Sequence, residues 1–452
     1  GSVSCWGSNY NGQLGNGYGG LNANGSSFAQ TSPILVSGMP GNLSAIALSA
    51  GSHHTCAIIE NGSVACWGQN SQGQLGDGTA VSRNIPTLVN NFPMNRSAIA
   101  ITSGYSHTCA VLDNGSVSCW GHQDKIGNGT QSSNLAYPTL TASLGNNTSA
   151  IGISSSYYHT CALLDNGSVS CWGLGNYGQL GNGGLQTKRI PTLVSDFGNN
   201  QTIAIPELDF DGDGKINLFQ SHRPKIDVDS SSMSAGGRTA CSILSNGSVA
   251  CWGWGASGEL GVGSNPPSYS DTPVLVSDFP GNLKATKISV GDTNACVILT
   301  NGTISCWGTN QYGQLGIGNS NSPVSPVLTQ NLGYGMTQSF TRAISVSAGG
   351  EHTCAVLDNG LVTCWGRGNS GQLGVGSMAL RVDRPTATDS MPGSLSATMV
   401  SSGYDHTCAL LQNGEVACWG LNDKGQLGDG TSGVATTAWQ TSPSLTAQLP
   451  GG

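Results

Sequence analysis

Charge is what this chain has least of. Asp, Glu, Lys and Arg together make up 9% of its 452 residues, against roughly 25% in an average soluble domain. Solvation therefore falls to Ser, Thr, Asn and Gln. The balance that remains is acidic, a formal net charge of −8, which argues against nucleic acid or an anionic membrane surface as partner. No apolar run is long enough to span a bilayer, so membrane insertion is not expected. No segment carries the 3.6-residue period of an amphipathic helix. A secretory signal is missing too, yet the chain starts in mid-motif with Gly1-Ser2-Val3-Ser4-Cys5-Trp6-Gly7, which leaves room for one upstream.

Glycine is plentiful, 68 residues, and its positions are periodic. The unit behind that period is His54-Thr55-Cys56-Ala57-Ile58-Ile59-Glu60-Asn61-Gly62-Ser63-Val64-Ala65-Cys66-Trp67-Gly68. Two short runs rich in β-branched residues flank an Asn-Gly turn, the pattern of a β-hairpin. Close copies run from Cys109 to Trp120, Cys161 to Trp172, Cys241 to Trp252, Cys296 to Trp307, Cys354 to Trp365 and Cys408 to Trp419. The Trp-Gly positions are spaced by 61, 53, 52, 80, 55, 58 and 54 residues. A period of 50-odd residues made of short strands is that of a propeller, one blade per repeat. Each unit adds a short strand after Pro, as in Pro86-Thr87-Leu88-Val89, and an apolar one, as in Ala45-Ile46-Ala47-Leu48-Ser49-Ala50. The Pro suits an edge or first strand position. Residues 1–452 are thus expected to form a single all-β repeat body, a seven-bladed β-propeller of four-stranded antiparallel blades, with half-copies at both ends.

Fourteen of the 15 Cys fall into seven pairs ten residues apart: Cys56 and Cys66, Cys109 and Cys119, Cys161 and Cys171, Cys241 and Cys251, Cys296 and Cys306, Cys354 and Cys364, Cys408 and Cys418. If Glu60-Asn61-Gly62 is a type I turn closed by a Gly bulge, Ile59 faces Ser63 and Cys56 falls directly opposite Cys66. Opposed residues have Cα atoms about 4.5–5.5 Å apart, close enough for a disulfide. A two-residue turn would put the two Cys on opposite faces. The alternative is seven pairs of small buried hydrophobes. Zinc is not expected, since no second pair lies nearby to complete a tetrahedral site. Seven cystines imply an oxidising compartment, hence an extracellular or cell-surface protein. Cys5 is left without a partner in this chain.

After each Trp comes a loop such as Gly73-Gln74-Leu75-Gly76, repeated at Gly12, Gly178, Gly313, Gly371 and Gly425, with Gly258-Glu259-Leu260-Gly261 as a variant. Its Leu is expected to plug against the neighbouring blade. No helix and no Lys-Ser/Thr pair follows, which argues against a phosphate-binding loop. The whole run of His-Thr-Cys-Ala, Asn-Gly, Cys-Trp-Gly and Gly-Gln-Leu-Gly resembles the regulator of chromosome condensation repeat, in a secreted, Cys-paired, bacterial or archaeal form. The resemblance covers the chain apart from one insertion and implies a seven-bladed propeller. It does not imply one function: the family includes a nuclear guanine-nucleotide exchange factor, a plant ultraviolet-B photoreceptor, ubiquitin-ligase subunits and secreted β-lactamase inhibitors. The photoreceptor carries Trp two residues before several of the repeated His. Here those positions are Ser52, Tyr105, Tyr157, Gly237, Asp292, Gly350 and Tyr404, so its light-sensing cluster is missing. The basic chromatin-binding tail of the exchange factor is missing as well.

Five histidines, His54, His107, His159, His352 and His406, hold one place in the repeat, with Thr239 and Asn294 in the other two copies. A ring of His could bind metal or titrate. Replacement by Thr and Asn points instead to strand-end hydrogen bonds to loop backbone. The repeat Trp residues are expected in the inter-blade core. Tyr105, Tyr157, Tyr158 and Tyr404 sit just before a hairpin strand, on what should be one face, and aromatic anchors of this kind mark a partner surface. The 80-residue step carries an insertion over 199–232 with Asp209, Asp211, Asp213, Lys215, Asn217 and Gln220 at the spacing of a calcium loop. Gln at its last position, in place of a bidentate Glu, implies modest Ca2+ affinity. Asn-x-Ser/Thr sequons are frequent, many of them in the hairpin turns. The repeat phase at the two ends predicts a fragment or an excised domain.

The function expected from all this is a non-catalytic extracellular or surface binding scaffold. It would contact a protein through loops on one propeller face, with carbohydrate or cell-surface adhesion as the alternative. An exchange-factor-like regulator or an enzyme ranks below both. The cysteine reading is checked by intact mass after alkylation of the secreted protein. One alkylated thiol before reduction and 15 after are expected; 15 reactive thiols without reduction would remove both the pairing and the extracellular assignment.

Overall fold

The computed structural model describes residues 2–20, 29–90, 92–130, 133–145, 148–195, 197, 232–263, 266–332, 341–431 and 439–447. Strands β1 (Ser4–Gly7) and β2 (Gln30–Leu35) form a two-stranded sheet. Seven four-stranded antiparallel sheets follow, each a meander in chain order. They are β3 (Ala45–Ala50), β4 (His54–Ile59), β5 (Val64–Gly68) and β6 (Arg83–Leu88); β7 (Ala98–Ser103), β8 (His107–Leu112), β9 (Val117–Gly121) and β10 (Leu135–Leu140); β11 (Ala150–Ser155), β12 (His159–Leu164), β13 (Val169–Gly173) and β14 (Lys188–Leu193). Next come β15 (Met233–Gly236), β16 (Thr239–Ile243), β17 (Val249–Trp254) and β18 (Tyr269–Leu275); β19 (Ala285–Val290), β20 (Asn294–Leu299), β21 (Ile304–Gly308) and β22 (Val327–Leu328). The last two are β23 (Ala343–Ala348), β24 (His352–Leu357), β25 (Val362–Gly368) and β26 (Ala379–Ala387); β27 (Ala397–Ser402), β28 (His406–Leu411), β29 (Val416–Leu421) and β30 (Trp439–Leu445).

These seven sheets are the four-stranded blades of an all-β propeller fold; the strand expected after Pro is the edge strand of its blade, but it begins earlier, with Pro86 inside Arg83–Leu88 and Pro191 inside Lys188–Leu193. Contacts divide the chain into two compact units. The first is Gly1–Phe28, Ile34–Ser230 and Asp271–Pro273; the second is Ala29–Pro33, Ser231–Ser270 and Val274–Gly452. The insertion at 199–232 with its acidic loop lies, apart from Ser232, outside the described residues.

Turn chemistry sets the register of every hairpin. Gly62 has φ 82°, its N–H donates to Ile59 O at 2.7 Å, and Ile59 N–H donates to Ser63 O at 2.8 Å. That is the type I turn plus Gly bulge expected from Glu60-Asn61-Gly62. Counting back from the hydrogen-bonded pair Ile59/Ser63 puts Cys56 and Cys66 at a narrow, non-hydrogen-bonded pair, where opposed Cα atoms come closest. All seven pairs take this position and all seven are disulfides, with Cα atoms 4.1 Å apart. Cys5 is free and half-buried.

Blade junctions are built on the repeat Trp. All seven hairpin indoles are fully buried. In the first unit Trp120 packs with Leu75, Cys56, Cys66 and Leu112, so the loop Leu of one blade and the indole of the next form one cluster. In the second unit Leu373 and Trp419 pair in the same way. Gly76, at φ 71°, touches this indole: a β-carbon there would sit 2.8 Å from Trp120 Nε1. The same contact recurs at Gly316 against Trp365 and at Gly374 against Trp419. Burying an indole removes about 150–250 Å² from water. At about 25 cal/mol per Å² each Trp contributes on the order of 4–6 kcal/mol as an upper estimate. A disulfide closing so short a loop adds about 2–3 kcal/mol. Packing between blades therefore outweighs the cystines within them.

The Gly-rich loop is filled by its own side chains. Asn70, fully buried, accepts from Leu75 N–H at 2.9 Å and donates to Asp77 Oδ1 at 3.1 Å and Thr79 O at 3.0 Å. Gln74 Oε1 accepts from Gln72 N–H at 2.9 Å. Two of the loop's donors are thus spent on holding it in shape. Truncating the plug, Leu75→Ala, should cost about 2–5 kcal/mol. The check is chemical unfolding of the disulfide-intact chain; a loss under about 1 kcal/mol would mean the plug does not hold the junction.

Candidate partner-binding surface

Three of the repeated histidines, His54, His107 and His352, bond to the next blade, whereas His159 meets Ser156 Oγ of its own blade at 2.7 Å through Nδ1. His54 Nε2 lies 2.9 Å from Thr108 Oγ1 on the next blade, and Thr108 Oγ1 donates to Gln74 O at 2.9 Å. With its one proton committed to that carbonyl, the Thr hydroxyl must accept from His54, so the imidazole carries its proton on Nε2. In the second unit His352, Thr407 and Gln372 repeat the chain, at 2.8 and 2.9 Å. Asn294 takes the same place and donates to Thr353 Oγ1 at 3.3 Å. At these junctions the expected bond to loop backbone is therefore made through a Thr hydroxyl, whereas Thr239 in the same repeat position donates directly to Trp254 O at 2.8 Å. Burial holds these imidazoles neutral: it lowers His54 and His159 to about 4 and His352 to about 3. Among the described residues no three His, Cys, Asp or Glu come together as metal ligands.

Just before these histidines the chain turns in two residues. Gly104 N–H donates to His107 O at 3.0 Å, so β7 and β8 are joined by a tip of only Tyr105 and Ser106. The first tip residue is exposed at Tyr105, Tyr157, Asp292 and Tyr404, whereas Ser106, the second residue of its tip, is buried.

In the first unit the tips are aromatic. Tyr105 and Tyr157 stack with ring centroids 5.7 Å apart, His53 meets Tyr105 edge-on at 5.7 Å, and Tyr158 lies 5.9 Å from Tyr157. The three Tyr are 41%, 54% and 44% exposed. Beneath them is a residue that the sequence reading passed over. Lys125 stands where Gln74 stands in the preceding repeat, and it is buried. Its Nζ donates to Ser106 Oγ at 3.0 Å and Tyr157 O at 3.2 Å. It also lies 5.3 Å from the Tyr158 ring centroid and 5.8 Å from that of Tyr105. Burial lowers its pKa to about 8. The ammonium is thus held by two oxygen acceptors and two ring faces.

In the second unit three tips carry a carboxylate and one, Gly237-Arg238, a guanidinium. There the Glu351 charge acts on Asp292, Asp405 and Tyr404. Burial, reinforced by Glu351, raises Asp292 above its ordinary value; burial also raises Asp405, with Arg367 opposing and Glu351 and Asp423 adding to it. The Glu351 charge, ahead of burial, raises the Tyr404 phenol. Arg367 pairs with Glu351 and lies 5.2 Å over the Tyr312 ring. Gln372 Nε2 donates to Asp405 Oδ1 at 3.2 Å. Of the four Tyr expected on one surface, Tyr105, Tyr157 and Tyr158 form a single cluster, whereas Tyr404 belongs to this carboxylate group. Reading the two positions before each repeat His, copy by copy, would have exposed the acidic set in the sequence.

Comparison with known proteins bears on this surface. The family described as the regulator of chromosome condensation (RCC1) repeat matches residues 1–58, 61–111, 166–205, 246–298, 301–356 and 359–410. The ultraviolet-B receptor UVR8 of Arabidopsis thaliana is 28% identical over 389 residues, 85% of this chain and 79% of the receptor. The E3 ubiquitin-protein ligase HERC2 of Homo sapiens is 27% identical over 397 residues; these are 86% of this chain and 7% of the ligase. Among solved structures, human WBSCR16 superimposes with a TM-score of 0.65 at 18% identity, covering 91% of this chain and 100% of that one. Prp20p of Saccharomyces cerevisiae, studied for its binding to Gsp1p and histones, gives 0.62 at 20% identity and 89% coverage of both chains. At these identities the two structures show the fold.

Stability should depend on pH through the buried histidines. Their native pKa lies below the ordinary value near 6.5, so between pH 6.5 and about 4 the unfolded chain binds protons that the native one does not. Stability is fully present above pH 6.5 and is lost as pH falls through that window, by up to about 1.4 kcal/mol per pH unit for each histidine. Thermal unfolding from pH 7.5 to 4.5 checks this. His54→Asn, copying Asn294, should flatten the profile, and an unchanged slope would exclude His54 as a source.

Proposed function

The chain belongs to the regulator of chromosome condensation repeat family, and from that membership we propose that it is a non-catalytic extracellular or cell-surface scaffold that binds a protein partner. The contact is made by the two-residue tips before the repeated histidines. The observation that carries this reading is the cluster of stacked, solvent-exposed Tyr105, Tyr157 and Tyr158 over a buried ammonium. Tyrosines fixed by neighbours lose little entropy on binding and offer both apolar area and a hydroxyl, which is why they anchor protein interfaces. Protein interaction and regulation are the roles represented among RCC1-type propellers, and the yeast relative binds proteins. Seven disulfides support an oxidising compartment.

Carbohydrate is the competing ligand class, since stacked aromatic rings also suit sugars. The test immobilises the disulfide-intact chain and compares wild type with Tyr105→Ser/Tyr157→Ser and with Tyr137→Ser, an exposed control on β10. A protein ligand from the extracellular fraction of the native source should bind at least about 10-fold more weakly to the double variant, a loss of about 1.4 kcal/mol or more. It should bind the control as it binds wild type. Equal binding to the double variant, or a glycan-array signal with no protein ligand, would overturn the proposal.

A further inference from the structure

We propose that the hairpin turns are N-glycosylation sites, with the glycans at the ends of the blades away from the aromatic and acidic tips. Five of the seven turns read Asn-Gly-Ser or Asn-Gly-Thr, at Asn61, Asn114, Asn166, Asn246 and Asn301. All five Asn are exposed. In each, Asn Oδ1 accepts the backbone N–H of the hydroxyl residue, at 2.9 to 3.2 Å. In four it also accepts the hydroxyl itself, at 2.6 to 2.7 Å. The oxygen is turned into the loop. Among the described residues no hydrogen bond holds Nδ2, the atom that a glycan would occupy.

The turn itself does not need the hydroxyl. Asn359-Gly360-Leu361 and Asn413-Gly414-Glu415 keep the same geometry, with Leu361 N–H on Asn359 Oδ1 at 3.1 Å and Glu415 N–H on Asn413 Oδ1 at 3.0 Å. Asn-Gly satisfies the conformation, and Ser or Thr two residues after Asn is an additional feature of five copies. It completes the acceptor sequence for transfer to Asn. The donor class is a lipid-diphosphate-linked oligosaccharide. The new bond joins Asn Nδ2 to sugar C1, the C1–O bond to diphosphate breaks, the diphosphate leaves with the electron pair, and Nδ2 loses one proton.

Placement makes the sugars compatible with binding. Along β4 the turn and the His54 end are six residues apart, about 20 Å at the rise of a strand. Glycans at the five turns would cover that end of each hairpin and leave the tips bare. Because surface charge is scarce, they would also supply solvation at those turns.

The proposal rests on the extracellular assignment, and the test separates the two. Protein isolated from its native source is digested with and without an amidase that removes N-glycans in H2 18O, and the turn peptides are weighed. The five Asn should be recovered as 18O-labelled Asp, while Asn359 and Asn413 stay unmodified. Thr303→Ala should lose the glycan on Asn301, and Leu361→Ser should gain one on Asn359. Unmodified turn peptides from a protein whose cysteines are all paired except Cys5 would overturn the glycan proposal alone. Unmodified peptides together with free thiols would overturn the extracellular assignment as well.

Discussion

A glycine pressed against an indole is the contact on which each described junction depends. Gly76 cannot carry a β-carbon because Trp120 Nε1 already occupies that space, and Leu75 beside it fills the remaining gap. A single repeat cannot bury its apolar face alone, so a blade depends on its neighbour's indole. The His54–Thr108–Gln74 chain crosses the same junction and spends polar groups that burial would otherwise leave unpaired. The cystines act inside blades and cannot replace these contacts.

Each hairpin has two ends with different physics. At the Asn-Gly end, backbone rules decide the residues: a positive φ demands Gly, and an Asx bond favours Asn. At the His end, the two tip residues are almost free of backbone constraint, so they vary from copy to copy: Tyr157-Tyr158 in one, Asp292-Thr293 in another, Tyr404-Asp405 in a third. The proposed recognition surface draws on this variation, because the fold demands little of the side chains there.

Scarcity of charge sharpens this division. With so few ionisable groups, two local sets shape the field near the tips: Glu351, paired with Arg367, acting on Asp292 and Asp405 in the second unit, and Lys125 buried beneath tyrosines in the first. The low native pKa of the junction histidines keeps them out of that field at neutral pH.

The strand register, the disulfide pairs and the buried Trp were legible in the chain because they depend on local rules repeated many times. A turn of three residues and a spacing of ten leave one way for Cys56 to meet Cys66, and seven copies make that reading secure. The sequence also set the exposed Tyr just before the strands. It did not reveal that Lys125 lies beneath Tyr158, because that meeting takes a loop from one blade and a tip from the next. Nor did it show the Thr hydroxyl between His and loop, or the influence of Glu351 on Asp292 and Asp405, three residues that come from successive blades of the second unit. Contacts within a hairpin follow from backbone geometry, which the sequence states directly. Contacts between blades follow from how whole sheets pack, and only the tertiary structure decides them.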